Sequence, residues 1–246
     1  MGGGRYSDAV RVIVGTSGYS YKEWKGTFYP DDLPASKMLS FYATHFGSVE
    51  INNTFYRMPD EKTLAKWAGE VPDSFTFVLK APQRITHQKK LADAGEDVRY
   101  FFEVAEALGP KLGPVLFQLP PYLRKDLARL RDFIAMLPQP ARVAFEFRHE
   151  SWCDDGVYEV LRERDAALCA ADTDEVSDPE SVLVSTASWG YARLRRTDYV
   201  EADLVAWAKR ITSQPWSDAY VFFKHEEEGK GPAYAKAFLR NLGLVE

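Results

Sequence analysis

Val143-Ala144-Phe145-Glu146-Phe147-Arg148-His149-Glu150-Ser151-Trp152 begins as a buried strand and ends as a dense run of ionisable groups. Side chains alternate along a strand, so Ala144, Glu146 and Arg148 point to one side and Val143, Phe145 and Phe147 to the other. A carboxylate and a guanidinium therefore stand two residues apart on one face, between rows of apolar side chains. Charges in such a place need partners, and clustered ones are often a functional site.

Working outward, this run (residues 142–147) is the fifth of eight short apolar segments. The others are residues 10–15, 48–52, 75–80, 114–119, 167–172, 191–195 and 219–224. Helical spacing predicts helices over residues 36–45, 61–68, 98–108, 126–137, 154–164, 201–211 and 232–242. Asp126 is placed to cap its helix, and Pro232 suits a first turn. Residues 173–188 are acidic and rich in small side chains, with one apolar patch at Val182-Leu183-Val184. They predict either a short extra strand or an irregular segment replacing a helix. Eight strands alternating with about seven helices predict an α/β fold, a single (β/α)8 TIM-type barrel over residues 9–246 behind a flexible tail of residues 1–8. Alternation alone also allows an open doubly wound sheet. The length of 246 residues and the strand number favour the barrel. The turn Gly15-Thr16-Ser17-Gly18 lacks the third glycine of a dinucleotide fingerprint.

Composition narrows the function classes. Apolar residues make up 46% and charged residues 27%, as expected of a globular protein with a large core. A net charge of −5 argues against a general nucleic-acid surface, while leaving room for a local basic pocket. No apolar run approaches the ~20 residues that span a bilayer. Met1-Gly2-Gly3-Gly4-Arg5 has no apolar signal region, and Tyr6 stands where myristoylation wants Ser or Thr. Two cysteines, Cys153 and Cys169, make no disulfide framework and lack metal-ligand spacing. Free thiols and a cytoplasmic location are expected, with no membrane partner. Oligomeric state is not legible.

Barrel enzymes carry their sites at the C-terminal strand ends. Polar residues gather at those ends here: Thr16 and Ser17; Glu50, Asn52 and Asn53; Lys80; Gln118; Glu146 and Arg148; Asp172; Arg193 and Arg195; Lys224 and His225. The opposite ends are plainer, although Arg11 and Arg142 lie there. Any strand turns polar where it meets solvent, but Glu50, Gln118 and Glu146 interrupt apolar runs instead of following them.

Several segments, in order and across nearly the whole chain, resemble the YecE-like family, known as domain of unknown function 72. They are Gly15-Thr16-Ser17-Gly18-Tyr19-Ser20-Tyr21 with Trp24, Gly26 and Phe28-Tyr29-Pro30; Val49-Glu50-Ile51-Asn52-Asn53-Thr54-Phe55-Tyr56-Arg57; and Ile85-Thr86-His87. They continue with Phe117-Gln118-Leu119-Pro120-Pro121, Glu146-Phe147-Arg148-His149-Glu150-Ser151-Trp152, and Leu168-Cys169 with Asp172. The resemblance implies a barrel and no particular activity. Two segments depart from it. Many relatives have Tyr-x-Arg-x-His-Gly near strand seven, where this chain reads Tyr191-Ala192-Arg193-Leu194-Arg195-Arg196. Near strand eight, Phe222-Phe223-Lys224-His225-Glu226-Glu227-Glu228-Gly229 replaces an Asn-rich segment.

Glu50 and Glu146 are the first candidates for acid–base work, or for a glycosidase-like pair. The competing reading makes each a structural ion pair with Arg148, Lys80 or Lys224. Lys80, Arg148, Arg193, Arg195 and Lys224 would converge on the mouth and suggest an anionic small ligand, unless they only balance Glu50, Glu146, Asp172 and Glu226-Glu227-Glu228. Lys80 or Lys224, if desolvated, could act as a catalytic amine. Asn52, Asn53 and Gln118 would orient hydroxyls or carbonyls, with Thr16, Ser17, His87, Asp172 and Arg193 beside them. Tyr19, Tyr56 and Trp152 suit ring stacking on a ligand, whereas Phe28 and Tyr29 suit a hydrophobic cap. No cofactor is expected. A divalent metal is the alternative, at His87, His149 or His225, although no HxH or HExxH spacing supports it; His45 falls on a helix. Three function classes stay open: a barrel enzyme acting on a small anionic or polyhydroxylated metabolite, a metal-dependent phosphoesterase or nuclease, and a non-catalytic ligand-binding or partner-binding protein.

Overall fold

A computed structural model describes residues 9–245. The expected tail, residues 1–8, lies outside the described residues. Eight parallel strands form one sheet: β1 (Arg11–Thr16), β2 (Ser48–Ile51), β3 (Thr76–Lys80), β4 (Leu112–Gln118), β5 (Val143–Glu146), β6 (Ala167–Asp172), β7 (Gly190–Leu194) and β8 (Asp218–Phe223). Their order, β1-β8-β7-β6-β5-β4-β3-β2, is that of a (β/α)8 barrel. The helices between them are α1 (Met38–Tyr42), α2 (Asn53–Tyr56), α3 (Glu61–Gly69), α4 (Gly95–Ala105), α5 (Leu127–Ala135), α6 (Asp155–Glu163), α7 (Glu201–Thr212) and α8 (Lys230–Asn241). Asp126 caps α5 as expected, accepting from the Arg129 N–H at 3.0 Å. Residues 173–188 hold only a 3-10 turn, Pro179–Val182, in the place of a helix between β6 and β7. Val182-Leu183-Val184 forms no strand.

The seam between β1 and β2 closes differently from the other seven. There the strands meet at one parallel bridge, Ser17 to Glu50, with the Gly18 N–H donating to the Glu50 carbonyl at 2.7 Å. Below that bridge a side chain stands in for the ladder. The Tyr42 hydroxyl, from α1, accepts from the Thr16 N–H at 2.8 Å and donates to the Ser48 carbonyl at 3.0 Å. Gly15 allows this approach, since a Cβ there would lie 2.0 Å from the Ser48 carbonyl oxygen.

Strand register sorts the side chains into two cores. Val78, Leu116, Ala144, Cys169, Tyr191 and Phe222 pack inside the barrel. Their neighbours in sequence, such as Phe77, Phe117, Phe145 and Val221, face the helices in a second, larger core. The bulky interior fills the barrel as a packed solid and sets a floor under its C-terminal mouth.

Candidate active site at the barrel mouth

The inward row ends in charge. Register pairs Glu50 with Val78, Lys80 with Leu116, and Gln118 with Glu146, so these residues continue the interior row by strand alternation. Arg193 follows Tyr191 on the same row of β7. Arg193 ties the strands together across the mouth. Its Nη2 donates to Glu50 Oε1 at 2.8 Å and its Nη1 to Glu146 Oε2 at 2.6 Å. Glu50 also accepts from the Ser17 hydroxyl at 2.6 Å and from the Tyr191 hydroxyl. Glu146 Oε1 accepts from Arg148 Nε at 2.6 Å, with Arg195 Nη1 3.4 Å away. Glu50 and Glu146 are wholly buried and Arg193 is 1% exposed, whereas the Arg148 and Arg195 side chains reach 30% and 18% exposure.

Burial alone would push both carboxyls upward. For Glu146 the Arg193, Arg148 and Arg195 guanidiniums outweigh burial and hold it at about 2. For Glu50 the charge of Arg193 and the Ser17 and Tyr191 hydroxyls likewise prevail over burial, and its carboxyl lies below the usual range. Both stay ionised at neutral pH.

Lys80 behaves differently. Its half-buried ammonium is 4.1 Å from the centre of the Phe55 ring. Burial, then the charge of Arg193, lower it to about 8, although Glu50 and Glu146 pull the other way. Lys224, exposed at the end of β8, is also lowered, by burial and then by Arg195 and Arg193. Five cations thus meet Glu50, Glu146 and, beside Lys224, Glu226, which leaves a local excess of positive charge on a chain of net charge −5.

The other expected site residues divide in two. Ser17 belongs to the cluster through Glu50. Gln118 is half-buried on the inward row, and His87 is half-buried against the Phe55 ring, lowered by burial and then by Lys80 and Arg148. Asn52 lies above β2 with its buried amide nitrogen unpartnered, beside the exposed Asn53. Thr16 is buried at the β1–β2 seam, its hydroxyl donating to the Gly18 carbonyl at 2.6 Å. Asp172 faces away from the barrel, because Ala171, not Asp172, pairs with Arg193. Its carboxylate accepts from Arg196 Nε, the Tyr199 hydroxyl and Trp207 Nε1, each at 2.9 Å, and so fastens the loop before α7. Trp152 donates to the Leu123 carbonyl at 2.7 Å and stacks on Phe147 outside the barrel. Tyr19 packs edge-on against Trp67. Tyr56 is 74% exposed on an outer groove beside Trp67 and Tyr100. Phe28 and Tyr29 are buried around Trp24, as a cap would be.

Tyr191 was missed by the sequence reading, although its place two residues before Arg193 put it on the same row. Phe55 was legible as one of the aromatics after strand two, but its pairing with Lys80 was not, since the α2 turn that brings it over the Lys80 ammonium follows no apolar period.

The histidines do not converge. His149 caps its own turn, accepting from the Ser151 N–H, and His225 Nε2 lies 2.6 Å from the Arg196 carbonyl oxygen. Among the described residues no three His, Cys, Asp or Glu side chains gather as a metal-binding group. Among them, too, no helix is long and apolar enough to cross a membrane.

Barrel and mouth together define a TIM-barrel protein with a charged, arginine-centred C-terminal site. The chain belongs to the family described as "Protein of unknown function DUF72", whose model matches residues 13–246. The UPF0759 protein YunF of Bacillus subtilis is 32% identical over 162 residues, covering 60% of this chain and 54% of that protein. The UPF0759 protein YecE of Escherichia coli K12 is 32% identical over 119 residues, covering 48% and 44%. The chain thus spans about half the length of the curated relatives it matches. A crystal structure of a DUF72 family protein from Thermotoga maritima has a TM-score of 0.84 and 27% identity, covering 95% of this chain and 99% of that one.

Proposed function

We propose that the barrel mouth binds a small anionic metabolite and that Lys80 transfers a proton to or from it. The observation that carries this reading is the excess of cations around Glu50 and Glu146. A barrel interior needs no charge to fill it, so five cations at one end imply a ligand that brings negative charge. Arg148, Arg195, Lys224 and the half-buried Lys80 are the cations with solvent access; Arg193 is spent on holding the carboxylates.

Glu50 and Glu146 suit this frame better than proton exchange, since both remain ionised well below neutral pH. A glycosidase-like pair is also disfavoured, because a guanidinium occupies the space between the carboxylates that a glycosidic oxygen would need. Lys80, at about 8, is the group at the mouth that exchanges a proton near neutrality. The chemistry this supports is proton transfer at a carbon beside a carbonyl, with guanidiniums stabilising the developing oxyanion.

Thermal unfolding in inorganic phosphate tests the binding half. At ten times Kd the ligand should add about 1.4 kcal/mol, or roughly 3–6 °C in a chain of this size. Arg148→Ala with Lys224→Ala should lose that rise; a rise that survives both substitutions would sink the reading. Exchange of the methyl protons of pyruvate into deuterium oxide tests the chemistry: wild-type protein should accelerate it and Lys80→Met should not.

A further inference from the structure

The ladder between β5 and β6 stops early. It pairs Ala144 with Ala167 and Phe145 with Leu168, while β6 runs on to Asp172 and β4 stays paired with β5 up to Glu146. Above Leu168 the barrel wall is therefore split, and residues 173–188, which stand in place of a helix between β6 and β7, reach the split through Val176 and Val182. A cavity of about 260 Å³ fills the gap, walled by Phe147, Trp152, Tyr158, Leu168, Val176 and Val182. Ala171, on the inward row of β6, lines it from the barrel side, and the exposed Cys153 lines its rim. Arg148 also borders it, and the same side chain donates to Glu146 in the mouth.

We infer that this cavity is a side pocket of the anion site and that the ligand is an anion carrying one aromatic ring, an aryl phosphate or aryl carboxylate. The inference rests on the anion-binding reading above. Volume sets the size of the group: about 150 Å³ of apolar cavity takes a benzene, so this pocket accommodates one ring with a substituent and is too small for a whole metabolite of ordinary size. Chemistry sets its kind. The Phe147–Trp152 stack, the Tyr158 ring and the Leu168, Val176 and Val182 side chains offer faces for a ring, while Thr173, Glu175 and Ser181 also line it, so the ring and not the charge belongs in the pocket. Arg148, which borders the pocket and bonds to Glu146, sets the end at which the charge would lie.

Phenyl phosphate, inorganic phosphate and phenol are the probes, read by thermal shift and by the rate at which iodoacetamide alkylates Cys153. Phenyl phosphate should stabilise the wild type more than inorganic phosphate, with at least tenfold tighter binding, and should slow Cys153 alkylation severalfold; inorganic phosphate should leave alkylation unchanged. Ala171→Phe should fill the pocket, abolish the phenyl preference and keep the phosphate response. Val182→Trp fills it from the covering segment and serves if the first variant does not fold. Equal binding of the two phosphates with no protection of Cys153 would overturn the side pocket and leave the anion site standing. No response to either phosphate would overturn the anion site itself. Protection by phenol that matches phenyl phosphate would overturn the joint site.

Discussion

Arg193 organises the mouth: its two terminal nitrogens hold two carboxylates from different strands, and Ser17, Tyr191 and Arg148 bond to those same carboxylates. Such a network is strongly pH-dependent. The Glu146 carboxyl lies at about 2 in the folded chain against 4.5 for the free group, so between those values the unfolded chain binds the extra proton. Stability is full above about pH 4.5 and falls as pH drops toward 2. The loss attributable to this one group is on the order of 3 kcal/mol. Urea unfolding at steps between pH 5 and pH 3 should therefore give a shallower slope for Glu146→Gln than for wild type; parallel slopes would show that Glu146 is not held low. At this scale the sequence was informative where alternation applied. Glu50, Lys80, Gln118, Glu146 and Arg193 were legible because they fall on strands whose facing the pattern fixes. Asp172 misled because it also ends a strand but on the other face, and one residue of register decides between ligand and loop fastener.

At the scale of elements, the β1–β2 seam depends on a helix. Tyr42 supplies the hydroxyl that both strands use, and α1 is five residues long. Tyr42→Phe would leave a buried N–H and a buried carbonyl without that partner, and should cost about 1–3 kcal/mol in denaturant unfolding. A change below about half a kilocalorie would mean that the strands close over the gap unaided. The periodic elements were readable to within a few residues. The seam was not, because a tyrosine on a helix face reads as core and nothing local marks its hydroxyl as a strand partner. Residues 173–188 were readable as a place where the helical pattern fails, and in the structure they hold one 3-10 turn in place of a helix between β6 and β7.

Over the whole molecule the two barrel ends divide their labour. At the N-terminal end Asp218 accepts from Arg11 Nε at 2.6 Å and from Arg142 Nη2 at 2.9 Å, joining β1 and β8 to the start of β5. Arg11 and Arg142 were the two charges that stood out at the plainer end of the sequence. The packed interior separates this network from the mouth. Asp218→Asn should therefore lower the melting temperature by a few degrees, for a loss of about 1–2 kcal/mol in these partly exposed pairs, and leave the phosphate response of the mouth intact. A changed phosphate affinity would show that the two ends are coupled.

The Arg193 tie also bears on how the chain is made. Its anchors lie 143 and 47 residues upstream. A chain emerging from the ribosome therefore exposes Glu50 long before Arg193 exists, while Glu146 has the partly exposed Arg148 at hand, and these under-compensated carboxylates oppose burial of the half-built interior. Closure of the barrel should on this ground wait for β7, in the last quarter of the chain, and a fragment ending before Gly190 should stay open and hydrated.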